Sequence, residues 1–136
     1  MLLADVARLF RPLSSIFILS RADELVGHEW HLETDEDKVR IKVSGDLKEK
    51  IDSARNDKSK RAVLINSIYF AAVMQCIVHI KREGTDSFGR WAQVIEQKCH
   101  NMNLSIDTHD EYLLTEKLMQ QPFKLIDAYV FSGGEE

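Results

Sequence analysis

The longest apolar segment of the sequence runs from Ala62 to Ile80 and contains no Asp, Glu, Lys or Arg. A helix that is apolar on all sides lies either at the centre of a protein or in a membrane, and about 20 such residues suffice to span a bilayer. Asn66, Gln75 and His79 are costly in lipid. Cations flank both ends of the segment, so no orientation across a membrane is encoded. We therefore predict a long, central, buried helix.

A β-hairpin is predicted between Glu29 and Lys42, with a four-residue loop from Thr34 to Asp37. Apolar and charged residues alternate on both sides of this loop. In this register every apolar residue faces an apolar one, and every acid or histidine faces a base. The predicted pairs are Leu32 with Val39, Trp30 with Ile41, Glu33 with Lys38, His31 with Arg40, and Glu29 with Lys42. A slip of one residue would bring unlike faces together, so the pattern favours this hairpin.

The stretch HEWHLE, which begins at His28, places two histidines and two glutamates close together and raises the question of a metal site. On a strand, His28 and His31 point to opposite faces, so both imidazoles cannot reach one ion. On a helix, the zinc-protease pattern needs the two histidines four residues apart, and here they are one residue too close. The sequence therefore predicts a strand and no metal, and no cofactor is expected elsewhere.

Helical periodicity begins after Ser44 and continues to the C-terminal region. Residues suited to helix ends separate the helical stretches. The expected caps are Asp46, Ser59 and Thr108 at helix N-termini, and Gly84 after the long helix. One stripe, from Phe88 through Trp91 to Met102, indicates an amphipathic helix.

The predicted fold class is α+β: a small antiparallel β-sheet of about three N-terminal strands packs with a helical C-terminal part around one long buried helix. The run SSIFILS supplies the additional strand. A chain of 136 residues suits one domain, which we place at residues 1–131, followed by a disordered tail at 132–136.

Composition narrows the functional classes. The formal net charge of −4 gives no overall field that attracts nucleic acid. Cys76 and Cys99 both lie in apolar helical stretches, where buried, reduced thiols are expected, and this usage suggests the cytoplasm. At Cys76 the apolar surroundings predict a raised pKa rather than an activated thiol beside His79.

The strongest enzymatic hypothesis uses Asp23, Glu36 and Lys38. Some metal-dependent nucleases hold a cation with an Asp followed by Glu-x-Lys on neighbouring strands. That arrangement needs Glu36 in mid-strand, whereas the predicted hairpin places it in the loop. We therefore lean towards a protein that is not an enzyme.

A nucleic-acid-binding domain or nuclease accessory domain is the alternative function. It rests on a basic patch whose residues are concentrated in two parts of the sequence. The patch comprises Arg40, Lys42, Arg55, Lys58, Lys60 and Arg61. Acidic residues lie close by in sequence or in predicted pairing, which lowers the local potential.

The favoured function is a soluble, cytoplasmic, non-catalytic protein–protein interaction or assembly domain, which forms a homodimer or binds another protein. Such a domain can be one piece of a larger protein. The amphipathic stripes exceed what one long helix needs to cover it, so a stripe remains for a partner. The expected interface residues are Trp91, Phe123, Ile126 and Tyr129. Asn66 and Gln75 either find internal partners or meet their equals across a symmetric interface.

Overall fold

The computed structural model describes residues 13, 15–54, 56–120 and 122. Its sheet has three strands: β1 (Phe17–Arg21), β2 (Trp30–Glu33) and β3 (Val39–Val43). β3 lies in the middle, antiparallel to β2 and parallel to β1. The predicted α+β class, with three N-terminal strands and one long helix, is confirmed. The sheet is mixed rather than wholly antiparallel, because the chain reverses between β1 and β2 and β3 then inserts between them.

In the central strand, β3, buried apolar residues alternate with partly exposed basic ones, as the sequence predicted. Val39, Ile41 and Val43 are fully buried, while Arg40 and Lys42 point to the opposite, partly exposed face. The faces of the predicted hairpin are correct, but its register is shifted by two residues. Leu32 pairs with Ile41 rather than Val39, and the other observed pairs are Trp30 with Val43, His31 with Lys42 and Glu33 with Arg40. A two-residue shift keeps every side chain on its face, so alternation alone cannot detect it.

Within the described residues four helices follow the sheet: α1 (Gly45–Ala54), α2 (Lys58–Glu83), α3 (Arg90–Asn101) and α4 (Glu111–Leu118). A short 3₁₀ turn, Thr85–Ser87, separates α2 from α3. By length and composition α2 would suffice to cross a membrane, and 44% of its most apolar window is buried within the protein. Core helices of folded domains meet the same criterion. The helix is central, as predicted, but it is not covered on every side, since Val63, Ser67 and Gln75 are exposed.

The N-caps lie close to the predicted positions but not at them. Ser44 caps α1, with its Oγ accepting the backbone N–H of Leu47. Asp57 caps α2 by accepting the N–H groups of residues 59 and 60, and Asp110 caps α4 in the same way. The predicted caps Asp46, Ser59 and Thr108 are thus each displaced by two residues. Gly84 follows α2 with φ of +90°, as its predicted role requires.

The long helix contains one π-helical turn, Ile65–Tyr69. Within it, Asn66 Nδ2 donates to the Ala62 carbonyl and Ser67 Oγ donates to the Val63 carbonyl. Side chains that bond to the carbonyl four residues back compete with the helix's own N–H groups. These two bonds therefore accompany the local widening of the helix.

The core has two parts that share their border residues. The larger part lies among α2, α3 and α4, and the smaller lies between the sheet, α1 and α2. Phe17, Leu32 and Tyr69 pack against both parts. The Phe17 and Tyr69 rings meet edge to face at 6.3 Å, an arrangement that aromatic quadrupoles favour. The sheet and the helices thus form one continuous core.

The loop between β2 and β3 attaches the sheet to the N-terminus of α3. Arg90 N donates to Asp37 Oδ1 at 3.2 Å, and Trp91 N donates to the Asp37 carbonyl at 3.0 Å. The indole Nε1 of Trp91 donates to the Thr34 carbonyl at 3.0 Å. Gly89 permits this approach, since a Cβ there would lie 2.9 Å from Asp37 Cα and closer still to the Glu36 carbonyl oxygen.

We predict that Gly89→Ala destabilises the fold by about 1–3 kcal/mol, because the added methyl group overlaps loop backbone that cannot move independently. The measurement is the free energy of unfolding from urea denaturation. Gly45→Ala is the matched control: its Cβ would meet only the Arg21 guanidinium, 3.1 Å away at the end of a flexible side chain. Equal stability of the two variants would contradict the close docking of the loop.

Candidate functional site

The histidines of HEWHLE lie apart in the structure. His28 occupies the turn before β2, where its Nε2 is 2.9 Å from Lys50 Nζ, whereas His31 lies on β2 opposite Lys42. Among the described residues no group of three or more His, Cys, Asp or Glu side chains is placed to hold a metal ion.

The nuclease-like residues are not brought together. Asp23 lies two residues beyond the end of β1 and accepts a bond from Arg21, while Lys38 immediately precedes β3. Because β1 and β3 are parallel, the length of the paired strands, roughly 15 Å at about 3.3 Å per residue, lies between them. Glu36 is in the loop and pairs with Arg40 at 3.2 Å. These three side chains therefore do not form a cation site.

Both cysteines are buried in the larger part of the core. Burial raises the pKa of the Cys76 thiol to about 12, which confirms the predicted direction. Burial, with a contribution from Glu96, raises the pKa of the Cys99 thiol to about 11. Neither thiol is a thiolate at neutral pH, so neither is an activated nucleophile. The ring of His79 packs against Phe88 with centroids 5.9 Å apart.

The basic patch is divided by the fold. On the exposed sheet face, Arg40 lies within 4 Å of Glu33 and Glu36, and Lys42 lies within 4 Å of Glu24 and Glu33. At the start of α2, Lys58 and Lys60 are exposed but Arg61 is 4% exposed. Arg55 lies outside the described residues. The carboxylates offset the charge on the sheet, which leaves Lys58 and Lys60 as the accessible part of the patch.

The predicted interface residues fall into two groups. Trp91 is fully buried in the larger part of the core, where its ring contacts Phe88 at 5.1 Å. In that position it offers no surface to a partner, since its stripe packs within the chain instead. Phe123, Ile126 and Tyr129 lie outside the described residues, so their roles stay predictions.

A surface that the sequence indicated only through Gln75 lies along the C-terminal half of α2. We call Ala71, Met74, Gln75 and Val78 the helical face. These residues line a shallow groove of about 390 Å³ that ends at His79 and Arg82. The signal for it is the spacing of small or polar residues in an otherwise apolar helix: Ser67, Ala71 and Gln75 recur every four residues, on one side of the helix.

A second groove, of about 280 Å³, lies between α1 and the N-terminal half of α2. Its apolar lining comes from both helices, and the ammonium-bearing residues Lys50 and Lys60 line it as well. We call it the lysine groove. Its apolar residues are Leu47, Ile51, Ala54, Val63, Leu64 and Ile68.

The chain was compared with protein-family models, with curated proteins and with solved structures, and none of them matches it.

We predict that the buried thiols make the fold sensitive to alkaline pH. A raised pKa in the folded state gives stability that is fully present below the unfolded pKa of about 8.5–9 and is lost as pH rises towards the folded pKa. Unfolding free energies measured between pH 8 and pH 11 should fall, and in Cys76→Ala the fall should be less steep by about 1.4 kcal/mol per pH unit above pH 9. Identical slopes would mean that Cys76 ionises normally.

Proposed function

We propose that this chain is a non-catalytic assembly domain of the cytoplasm that forms a homodimer through the helical face. The observation that carries the proposal is the composition of that face. Ala71, Met74 and Val78 are apolar, Gln75 is uncharged, and all four are at least partly accessible within the described structure. An accessible stripe without charge on a central helix is a surface suited to a partner.

A second copy of the chain suits this surface because the four residues of the helical face are uncharged and do not repel their symmetry mates. In a two-fold interface each residue meets the symmetry-related surface, so like charges near the axis are destabilising. Gln75 lies at the middle of the stripe, and its amide both donates and accepts hydrogen bonds. Two copies of Gln75 can therefore pair across the axis, as buried amides do in helical dimers.

Among the described residues that line the groove, one carries a formal charge, and an antiparallel crossing keeps its two copies apart. Arg82 lies at the C-terminal end of the groove. If two α2 helices cross antiparallel at Gln75, the two Arg82 residues are about 20 Å apart along the axis, at 1.5 Å per residue. A parallel crossing would bring them together. The small side chain of Ala71 lets the helices approach closely.

Enzymatic alternatives draw no support from the described residues, because the nuclease-like residues are apart and the thiols are protonated. Within the described part of the predicted basic patch, a nucleic-acid function would use Lys58 and Lys60, since the sheet cations have carboxylate partners. The assembly proposal uses a surface that the fold leaves open.

We predict that Met74→Glu converts the dimer to a monomer, because each copy would place an unpaired carboxylate in an apolar interface, at a cost of several kcal/mol. One helix face is smaller than the ~800 Å² per partner of stable complexes. We therefore expect wild-type dissociation in the micromolar range. The measurement is light scattering from about 10 µM to 1 mM, which gives the molecular masses of the wild type and of Met74→Glu.

Val26→Glu is the matched control, since Val26 is 69% exposed in a turn away from α2. It makes the same apolar-to-acid change and should leave the dimer intact. A wild-type chain that stays monomeric throughout the concentration range would overturn the proposal.

The orientation has its own test. We predict that Gln75→Cys forms a disulfide-linked dimer on mild oxidation, because the two substituted positions meet at the axis, whereas Arg82→Cys does not. The native thiols do not interfere, since both cysteines are at most 1% exposed. The measurement is non-reducing gel electrophoresis. Efficient cross-linking at position 82 and not at 75 would contradict the antiparallel crossing.

A further inference from the structure

The lysine groove is a second apolar surface, and it shares no lining residue with the helical face. Both of its walls are helices: Leu47, Ile51 and Ala54 come from α1, and Val63, Leu64 and Ile68 come from α2. Val63, in the second turn of α2, is 54% exposed, which is high for an aliphatic side chain of an apolar helix. The groove therefore presents aliphatic surface to solvent from two directions.

The charged residues among those that line the groove are basic, although the chain as a whole is acidic with a formal charge of −4. Lys50 belongs to α1 and Lys60 to α2, so one ammonium group comes from each wall. No acidic side chain is among the described residues that line the groove. This local reversal of charge favours an anionic partner.

The lysines are available for a partner. Lys50 Nζ lies 2.9 Å from His28 Nε2. This imidazole nitrogen carries no negative charge, so it does not neutralise the ammonium group. The Ser59 hydroxyl contributes most to the lowered pKa of Asp57, followed by the backbone N–H of Lys60, and the Lys60 ammonium contributes least. The Asp57 carboxylate is occupied as the N-cap of α2. A second carboxylate can approach Lys60 without displacing that cap.

We infer that the lysine groove binds an acidic amphipathic helix of another protein. An open groove between two helices accepts a third helix, whose apolar residues at positions i, i+4 and i+7 insert between the walls. Glutamates on both flanks of that apolar stripe then lie beside Lys50 on one wall and Lys60 on the other. Ion pairs with these flanks fix the register of the bound helix and speed its association.

The probe is a fluorescein-labelled synthetic helix with leucine at positions i, i+4 and i+7 and glutamate on both flanks. Fluorescence anisotropy with the full chain should show saturable binding that weakens as salt is added, because the charge pairs are screened. A peptide of the same composition with its leucines moved off the stripe tests the apolar contribution. It should bind at least about tenfold more weakly, which corresponds to about 1.4 kcal/mol.

Charge reversal at Lys50 and Lys60 tests whether these two lysines bind the acidic helix. The double variant Lys50→Glu, Lys60→Glu should bind the acidic helix at least about tenfold more weakly, and it should bind a lysine-flanked version of the same helix better than wild type does. Lys98→Glu combined with Lys117→Glu is the matched control. It makes the same change in net charge on α3 and α4, outside this groove, and should leave binding unchanged.

Three results would overturn the inference: no binding of the acidic helix at low salt, equal loss of binding in both double variants, or binding only to vesicles of anionic phospholipid. The test is independent of the homodimer. Met74→Glu lies outside the lysine groove, so it should bind the acidic helix as wild type does, whatever its mass in solution.

Discussion

The attachment of the β2–β3 loop to the first turn of α3 is the contact on which the rest of the fold depends. Asp37 accepts two hydrogen bonds from α3, one at its carbonyl and one at its carboxylate. Both come from N–H groups that have no partner within the helix. Trp91 adds a third bond from inside the core. Because the loop also sets where β3 begins, the same contact orients the central strand and the C-terminal helices. Gly89 permits it by leaving the space that any side chain would fill.

The α+β class and the faces of the strands could be predicted because burial imposes a period of two on β3 and the long apolar run admits few environments. The hairpin register and the helix caps do not follow from the pattern of apolar residues. The hairpin register can shift by two residues without changing any face, and the loop that selects it is held by α3, which is distant in sequence. The helix caps were displaced because several polar residues near each helix start can serve, and tertiary packing chooses among them.

The candidate surfaces could likewise be predicted from the sequence only in part. Sequence singled out Gln75 and Lys60, which lie on the helical face and in the lysine groove, because each is a polar group beside or within an apolar segment. It did not identify Lys50 or Met74, since which side of a helix stays open depends on where its neighbours pack. Trp91 shows the converse. A large aromatic residue suits either a core or an interface, and only its position behind the β2–β3 loop assigns it to the core.

The π-helical turn at Ile65–Tyr69 makes the long helix unusually tolerant of a change in chain length at one place. A π turn accommodates one residue more than an α turn between the same two flanks. Loss of one residue there would restore regular winding and leave both halves of α2 facing their present neighbours. Loss of one residue after Phe70 would instead rotate the following segment by about 100° and turn Cys76, Ile77 and Ile80 out of the core. The helix thus has a point at which the loss of one residue is nearly neutral, and that point overlaps the lysine groove, to which Ile68 belongs.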